Sequence, residues 1–141
     1  SLFFAPAGMS SRGVLTVFKQ KLLNLGIRYV DHPDHYLAPS QVALVTSDDA
    51  VICVSHHGRG DPHEGFLKQS QLAGATTICV TNFIDAPVTK YSDIKLITAA
   101  SRCSPIFGEA ITVRASQIVV LDALYTVMAM ERLKRKSKGG D

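Results

Sequence analysis

The 141-residue sequence predicts an α/β fold in which a parallel β-sheet is covered by helices on both faces. Short apolar segments alternate along the chain with segments of helical periodicity. Two of the apolar segments, VICV and TICV, are continuously hydrophobic, as expected for strands that are buried on both faces. With 46% hydrophobic and 19% charged residues, the chain is expected to form one domain around one core.

The first strand and helix follow from periodicity and from helix-end signals. A strand is predicted at Leu2–Phe4, before the loop APAG. The next helix is expected to be capped by Ser10 or Ser11 and to end at Gly26. Its apolar residues recur at helical spacing and are Val14, Leu15, Phe18, Leu22 and Leu25.

The middle of the chain repeats this strand and helix pattern. Residues 27–30 predict a second strand, DHPDHYLAP a loop, and residues 41–45 a short helix. A third strand is predicted at residues 50–55. The helix after it is expected to open at Pro62, because proline is favoured at a first helical position, and to end at Gly74.

The last third predicts two strands and one helix. β-branched residues favour a strand at Thr76–Thr81, and a short strand is predicted at Ile94–Ile97. The loop between them should contain a short helical turn. Residues 101–108 are expected to be irregular because Pro105 and Gly108 oppose regular structure.

The final helix, predicted at residues 113–135, is apolar on nearly all sides. Between Ile118 and Met130 its one strongly polar residue is Asp122. One face can pack on the sheet, and the opposite face then needs another partner. The sequence therefore predicts a homodimer through this helix, with coverage by another segment of the same polypeptide as the alternative.

Charge and cysteine content restrict the possible function classes. The net charge of +3 comes from a basic end that contains Arg132, Lys134, Arg135, Lys136 and Lys138. The remainder is about neutral, which argues against a broad nucleic-acid-binding face. Three cysteines without metal spacing, two of them inside predicted strands, indicate a reduced protein. Without an apolar run of ~18 residues or a signal peptide, a cytoplasmic protein with no membrane contact is expected.

Two loops that leave strand ends carry small and hydroxyl residues. The first contains Gly8 and Ser10, and the second runs from Ser55 to Gly60. In open parallel sheets, ligands bind outside the carboxyl ends of the strands. Both loops lead into helices, whose N-terminal amides attract anions, and glycine allows the backbone to approach a ligand closely. If the two strands lie side by side, the loops form one anion-binding site.

Histidines near the second loop offer a competing interpretation as a metal site. Five histidines, at positions 32, 35, 56, 57 and 63, lie close to acidic residues, and zinc binds imidazole and carboxylate together. Their spacing matches no motif such as HExxH, and adjacent His56 and His57 would diverge on an extended loop. This spacing leads us to expect no metal and no cofactor. The GxSxG nucleophile elbow of serine hydrolases is also missing, which argues against an enzyme of that class.

Five segments together resemble the SIS (sugar isomerase) domain, and most closely the version found in RpiR-type transcriptional regulators. They are AGMSS, VICVSHHGRGD, ATTICVTN, YSDIKL and VRASQIVVLDALYTVMAME. The similarity extends over nearly the whole chain. It implies a flavodoxin-like, three-layer α/β/α sandwich with a five-stranded parallel sheet, dimerisation, and a phosphosugar bound at the strand ends. The domain is expected at residues 1–136, followed by a flexible tail at residues 137–141.

The resemblance also suggests roles for individual residues. Ser10 corresponds to the serine of the family's Gly-x-Ser loop, and Ser55 and Gly58 to the first serine and the glycine of its Ser-x-Ser-Gly-x-Thr phosphate loop. Here His57 and Gly60 replace the second serine and the threonine, so two hydroxyl donors are missing. Glutamate near the sugar is frequent in the family. The expected ligand-binding residues are Gly8, Ser10, Ser55, His57, Gly58, Gly60 and Glu109.

The function implied by the resemblance is the sensing of a sugar phosphate for transcriptional control. In such regulators an N-terminal helix-turn-helix domain binds DNA. Nothing resembling that domain precedes Ser1, so we expect a fragment whose DNA contact depends on a domain outside this chain. Two alternatives stay open: a sugar-phosphate isomerase with Glu109 or His57 as its base, and a dimerisation scaffold with a degenerate site.

Overall fold

The computed structural model describes residues 1–31, 34–60, 62–99 and 113–139. The strands are β1 (Leu2–Phe4), β2 (Tyr29–Val30), β3 (Ala50–Val54), β4 (Thr76–Thr81) and β5 (Ile94–Ile97). The helices are α1 (Met9–Asn24), α2 (Ala38–Val42), α3 (His63–Leu72) and α4 (Val113–Lys138), with single 3-10 turns at His35–Leu37 and Pro87–Tyr91. All paired strands are parallel, in the order β2-β1-β3-β4-β5, which confirms the predicted fold class.

Two hydrophobic cores lie on opposite faces of the sheet. Successive side chains of a strand point to opposite faces, so Ile52 and Val54 of β3 pack with α1 and α4. Val51 and Cys53 of the same strand pack with α2 and α3. All four side chains are buried, which explains why this strand is continuously apolar.

Some element boundaries differ from those predicted. Helix α1 begins at Met9 with Gly8 as its N-cap, so Ser10 and Ser11 lie in its first turn and the prediction that one of them is the cap was wrong. Helix α2 begins at Ala38, three residues earlier than predicted, because Pro39 fits the first turn of a helix. The predicted irregular segment at residues 101–108 lies outside the described residues.

Two cysteines confirm the expectation that they act as small hydrophobic residues. Cys53 and Cys79 occupy paired positions of β3 and β4, and both are buried. Burial raises the pKa of the Cys53 thiol to about 12 and also raises the pKa of Cys79. These thiols therefore remain protonated in the core and are poor nucleophiles at neutral pH. Cys103 lies outside the described residues.

Helix α4 has one buried edge and one exposed apolar face. Leu121 is buried, and Lys21 of α1 pairs with Asp122 at 2.5 Å. On the opposite side Val119, Met130 and Leu133 are exposed. Length and composition alone would allow α4 to cross a membrane, which is weak evidence because helices of soluble proteins meet the same criteria. The helix extends two residues into the predicted tail.

Candidate functional site at the strand ends

The carboxyl ends of β1 and β3 lie side by side. Phe4 is paired with Ile52, and the amide of Ala5 donates to the carbonyl oxygen of Ile52 at 2.9 Å. The loops that follow these two strands therefore leave the same edge of the sheet at neighbouring positions. The prediction of one anion site shared by both loops depended on this arrangement.

A direct contact connects the two segments that leave this edge. Nδ1 of His63, the first residue of α3, lies 2.7 Å from the carbonyl oxygen of Pro6 in the loop after β1. The ring nitrogen acts as the donor in this bond, since a carbonyl oxygen can only accept. His63 thus holds the start of α3 against the first loop.

The first loop presents the N-terminus of α1 without a side-chain cap. Gly8 is the N-cap in an extended conformation and provides no side-chain capping bond. The first helical bond runs from the amide of Arg12 to the carbonyl of Gly8 at 3.0 Å. The amides of the preceding first-turn residues are thus not used in the helix, and Ser10 is exposed among them. The first turn contains no acidic residue, so this end favours an anion.

The second loop begins with a turn closed by Ser55. The amide of Gly58 donates to Oγ of Ser55 at 3.1 Å, which leaves the hydroxyl hydrogen of Ser55 able to donate elsewhere. Gly58 has φ +59°, and a Cβ atom there would lie 2.7 to 2.8 Å from side-chain atoms of Ala86, Val88 and Thr81. Glycine is therefore required at this position for both backbone conformation and space.

Gly60 has an internal acidic partner. Its φ is +92°, and its amide donates to Oε1 of Glu64 at 2.8 Å. The sequence predicted that the amides of Gly58 and Gly60 face a ligand, but in this structure each donates within the protein. Among the described residues, the donors that remain available to an anion include the first-turn amides of α1 and the hydroxyls of Ser10 and Ser55.

His57 forms an aromatic stack at the edge of the second loop. Its ring lies 5.9 Å from that of Phe83 at an interplanar angle of 11°, and the buried His56 ring lies 4.6 Å from it. The structure shows the imidazole face packed on a phenylalanine of the loop after β4. The prediction that His57 binds the ligand stays a prediction, because stacking of a ring face does not engage the ring nitrogens.

The loop after β4 is attached to the second loop through the backbone of His56. Thr81 Oγ1 and the amide of Asn82 both donate to the carbonyl oxygen of His56, each at 3.0 Å. The amide of Val88 donates to the carbonyl of Gly58 at 2.9 Å. The candidate site is therefore supported from β4 as well as from β1 and β3.

Some predicted residues lie outside the described part of the chain. Glu109, His32 and Asp61 are among them, so their positions relative to the loops are not described. Among the described residues, no three histidine, cysteine or acidic side chains converge as metal ligands would.

Sequence reasoning missed the roles of three residues at the site, namely His63, Glu64 and Phe83, and considered His63 only as one of five histidines of a possible metal site. His63 and Phe83 act through contacts with segments distant in the sequence, for which a single sequence contains no signal. Glu64 did carry a signal, since a glutamate in the first turn of a helix commonly bonds an amide at the helix start.

Comparisons of the sequence identify relatives along most of the chain. A family model described as "SIS domain" matches residues 10–127. An HTH-type transcriptional regulator of Haemophilus influenzae is 30% identical over 86% of this chain and 42% of its own length. The HTH-type transcriptional regulator RpiR of Escherichia coli is 25% identical over 89% of this chain and 42% of its own length. The chain thus spans less than half the length of these relatives.

Solved structures share the fold at lower sequence identity. NanR of Vibrio vulnificus, solved in complex with ManNAc-6P, has a TM-score of 0.79 at 16% identity and covers 97% of this chain and 54% of its own. The sugar isomerase domain of an RpiR transcription factor from Sphaerobacter thermophilus has a TM-score of 0.79 at 20% identity, over 95% and 72%. MJ1247 of Methanococcus jannaschii, described with an inferred function of 3-hexulose-6-phosphate isomerase, has a TM-score of 0.70 at 20% identity, over 94% and 70%.

Proposed function

This chain belongs to the SIS domain family, and we propose that it is the sugar-phosphate-sensing domain of a bacterial transcriptional regulator. Its relatives named as HTH-type transcriptional regulators support a role in transcription. The NanR structure, solved with ManNAc-6P, supports a phosphorylated sugar as the ligand class. Because those relatives are more than twice as long as the matched region, the DNA-binding step belongs to the proposal and would require a helix-turn-helix domain outside this chain.

The observation that carries the proposal is the pairing of β1 with β3. This pairing places the exposed start of α1 next to the loop that begins at Ser55, and His63 fixes the two segments together. A phosphate group between them would accept hydrogen bonds from the first-turn amides of α1 and from the hydroxyl of Ser10. The hydroxyl hydrogen of Ser55 would supply a donor from the other side.

The remaining predicted ligand residues act in different ways in this proposal. Gly8 leaves space for the ligand, since no atom lies within 4 Å of a Cβ placed there. Gly58 shapes the loop, and the Gly60 amide becomes available only if Glu64 moves away from it. His57 would border the sugar rather than bind the phosphate, and Glu109 would contact the sugar as the family resemblance implies.

Dimerisation through α4 completes the proposed sensor. The exposed apolar face of this helix would be covered by the same helix of a second copy. A ligand controls such a protein when it binds two arrangements of the dimer with unequal affinity. The proposed location is the cytoplasm, where both DNA and phosphorylated sugars are found.

Calorimetric titration of sugar phosphates tests the proposal. The panel contains N-acetylmannosamine 6-phosphate, glucose 6-phosphate, fructose 6-phosphate and inorganic phosphate. Ser10→Ala and Ser55→Ala should each weaken binding of the responding sugar phosphate by about 10- to 100-fold, because each removes a hydrogen bond to a charged group. Ser47→Ala is the matched control, since Ser47 is exposed in the loop that precedes β3 at the opposite edge of the sheet.

Two results would count against this function. Equal affinity of the Ser10, Ser55 and Ser47 variants would place the ligand elsewhere. A failure of the unmodified protein to bind any member of the panel would favour a dimerisation scaffold, for which the engaged Gly60 amide and the two missing hydroxyls already argue.

A sugar-phosphate isomerase is the second candidate, and the isomerase function inferred for MJ1247 favours it. The reaction needs a base that moves a proton next to a carbonyl group. Glu109 and His57 are the candidate bases, and the substitution of Glu109 tests the one that the family resemblance places near the sugar. Turnover of a ketose phosphate by the unmodified protein, abolished in Glu109→Gln, would establish the isomerase over the sensor.

A further inference from the structure

Helices α1 and α4 are connected by two polar contacts that lie far apart along α1. Near the start of α1, Nη1 of Arg114 donates to Oγ of Ser11 at 3.1 Å. The same nitrogen donates to Oε1 of Gln117, within α4, at 2.9 Å. Near the end of α1, Lys21 pairs with Asp122 at 2.5 Å. The first contact lies beside the candidate anion site, and the second is about ten residues, or ~15 Å of helix, away from it.

The contact at Arg114 is protected from water. Gln117 is fully buried, Ser11 is 6% exposed, and Arg114 is half-buried. A hydrogen bond from a charged donor is roughly twice as strong as a neutral one, and burial makes its loss more costly. Gln117 orients the guanidinium, and the guanidinium in turn fixes the side chain of Ser11.

Ser11 belongs to the turn that offers the unpaired amides. It directly follows Ser10 and precedes Arg12, whose amide makes the first bond within α1. Arg12 adds a second restraint, since its Nε donates to the carbonyl oxygen of Ala7 at 3.0 Å. The bond to Ser11 therefore restrains the position of the turn that carries these amides.

The positive charge of Arg114, like its hydrogen bond to Ser11, favours an anion at the start of α1. The guanidinium lies against the first turn of α1, which contains no acidic residue. A cation at this position adds to the positive end of the helix dipole and favours an anion bound there.

We propose that Arg114 is a positioning residue for the anion site: through Ser11 it holds the first turn of α1 in the orientation that binds phosphate, and it connects that site to α4. This inference rests on the proposed sugar-phosphate function. Its consequence is that an occupied site favours one placement of the start of α4, the helix whose exposed face is proposed to form the dimer.

The test is titration with inorganic phosphate and with fructose 6-phosphate, followed by amide chemical shifts. Ser11→Ala and Arg114→Gln should each weaken binding by about 2- to 30-fold, the range of substitutions that act through a neighbour. The Ser11→Ala/Arg114→Gln double variant should bind no more weakly than the weaker-binding single variant, because both substitutions remove the same contact. Arg114→Lys, which retains the charge without the fixed fork, should bind with intermediate affinity.

The matched control is Lys21→Met, which removes the other polar contact between the same two helices. It should bind both probes with unchanged affinity, even if it lowers thermal stability as much as Ser11→Ala does. If Arg114→Gln fails to fold, Ser11→Ala alone decides, since it removes the acceptor and retains the charge.

The outcomes separate this inference from the proposed function. If the unmodified protein binds no member of the sugar-phosphate panel, the proposed function fails and the inference fails with it. If another member of the panel binds instead of fructose 6-phosphate, that sugar phosphate replaces it as the probe. If the unmodified protein binds but Ser11→Ala and Arg114→Gln bind equally well, the inference alone is overturned. It is also overturned if Lys21→Met weakens binding as strongly as they do, because the effect then reports general contact between α1 and α4.

Discussion

Gly58 is the residue of the second loop with the least freedom to change. Its positive φ disfavours any residue with a Cβ atom, and three neighbouring side chains occupy the space where that atom would lie. The carbonyl of Gly58 also accepts the bond from Val88 that attaches the next loop. The shape of the loop beside Ser55 thus depends on this one glycine.

Gly58→Ala should destabilise the fold by about 2 to 5 kcal/mol, the sum of left-handed backbone strain and overpacking. Chemical denaturation measures the change in the free energy of unfolding. Gly13→Ala is the matched control: Gly13 is exposed within α1, nothing lies within 4 Å of its added Cβ, and the change should stabilise by up to about 1 kcal/mol. Equal effects of the two substitutions would show that the space around Gly58 is not restricted.

Sequence reasoning located Gly58 correctly as a loop residue and predicted Ser55 as the last residue of the strand, one residue beyond its observed end at Val54. It could not locate the contacts of His63 with Pro6 or of Arg114 with Ser11. These pairs are separated by 57 and 103 residues, and their proximity is a product of the sheet order. It also gave no signal for the stacking of His57 on Phe83, which follows a different strand.

At the scale of elements, the strands were predicted better than the helix ends. β4 and β5 have the predicted bounds, because β-branched and apolar residues are followed there by turn residues. Helix α1 begins earlier than predicted because Gly8 is itself an accepted N-cap, which leaves two serines in the first turn. This shift matters for the site, since it places the Ser10 hydroxyl beside unpaired amides.

The exposed face of α4 leads to a prediction about assembly. Met130 is 53% exposed between Val119 and Leu133 on one face of the helix. Met130→Glu should weaken dimerisation by about 30-fold or more, because a charge would replace a central apolar contact. Sedimentation velocity across a concentration series measures the dissociation constant.

The control for this prediction is a substitution in α3, which packs on the opposite face of the sheet from α4. Leu72 of α3 is 74% exposed and lines a groove of about 770 Å³ between α2 and α3. Leu72→Glu should leave the dimer intact. If Leu72→Glu dissociates the dimer and Met130→Glu does not, the copies associate through α2 and α3 instead.

At the scale of the whole molecule, the order of strands determines where the site lies. Alternating strands and helices predicted a parallel sheet, and right-handed crossovers limit the possible orders. In the observed order, β1 is the second of the five strands and lies between β2 and β3. This pairing of β1 with β3 brings together two loops separated by more than forty residues, which no local pattern in the sequence encodes.

Charge is distributed unevenly over the domain, which affects how a phosphorylated ligand is attracted to the site. The basic residues of the C-terminal end lie on the last turns of α4, whereas the candidate site lies at the carboxyl ends of the strands. Attraction of a phosphorylated ligand to the site therefore depends on local donors and on Arg114, and less on the net charge of +3.

The central claim is that the loops after β1 and β3 bind one phosphorylated ligand together. Amide chemical shifts during titration with N-acetylmannosamine 6-phosphate and fructose 6-phosphate test it most directly. We predict that the amides of residues 8–11 and 55–60 shift with one common dissociation constant, while those around Ser47 stay unchanged. Shifts confined to one of the two loops, or located between α2 and α3, would contradict the claim.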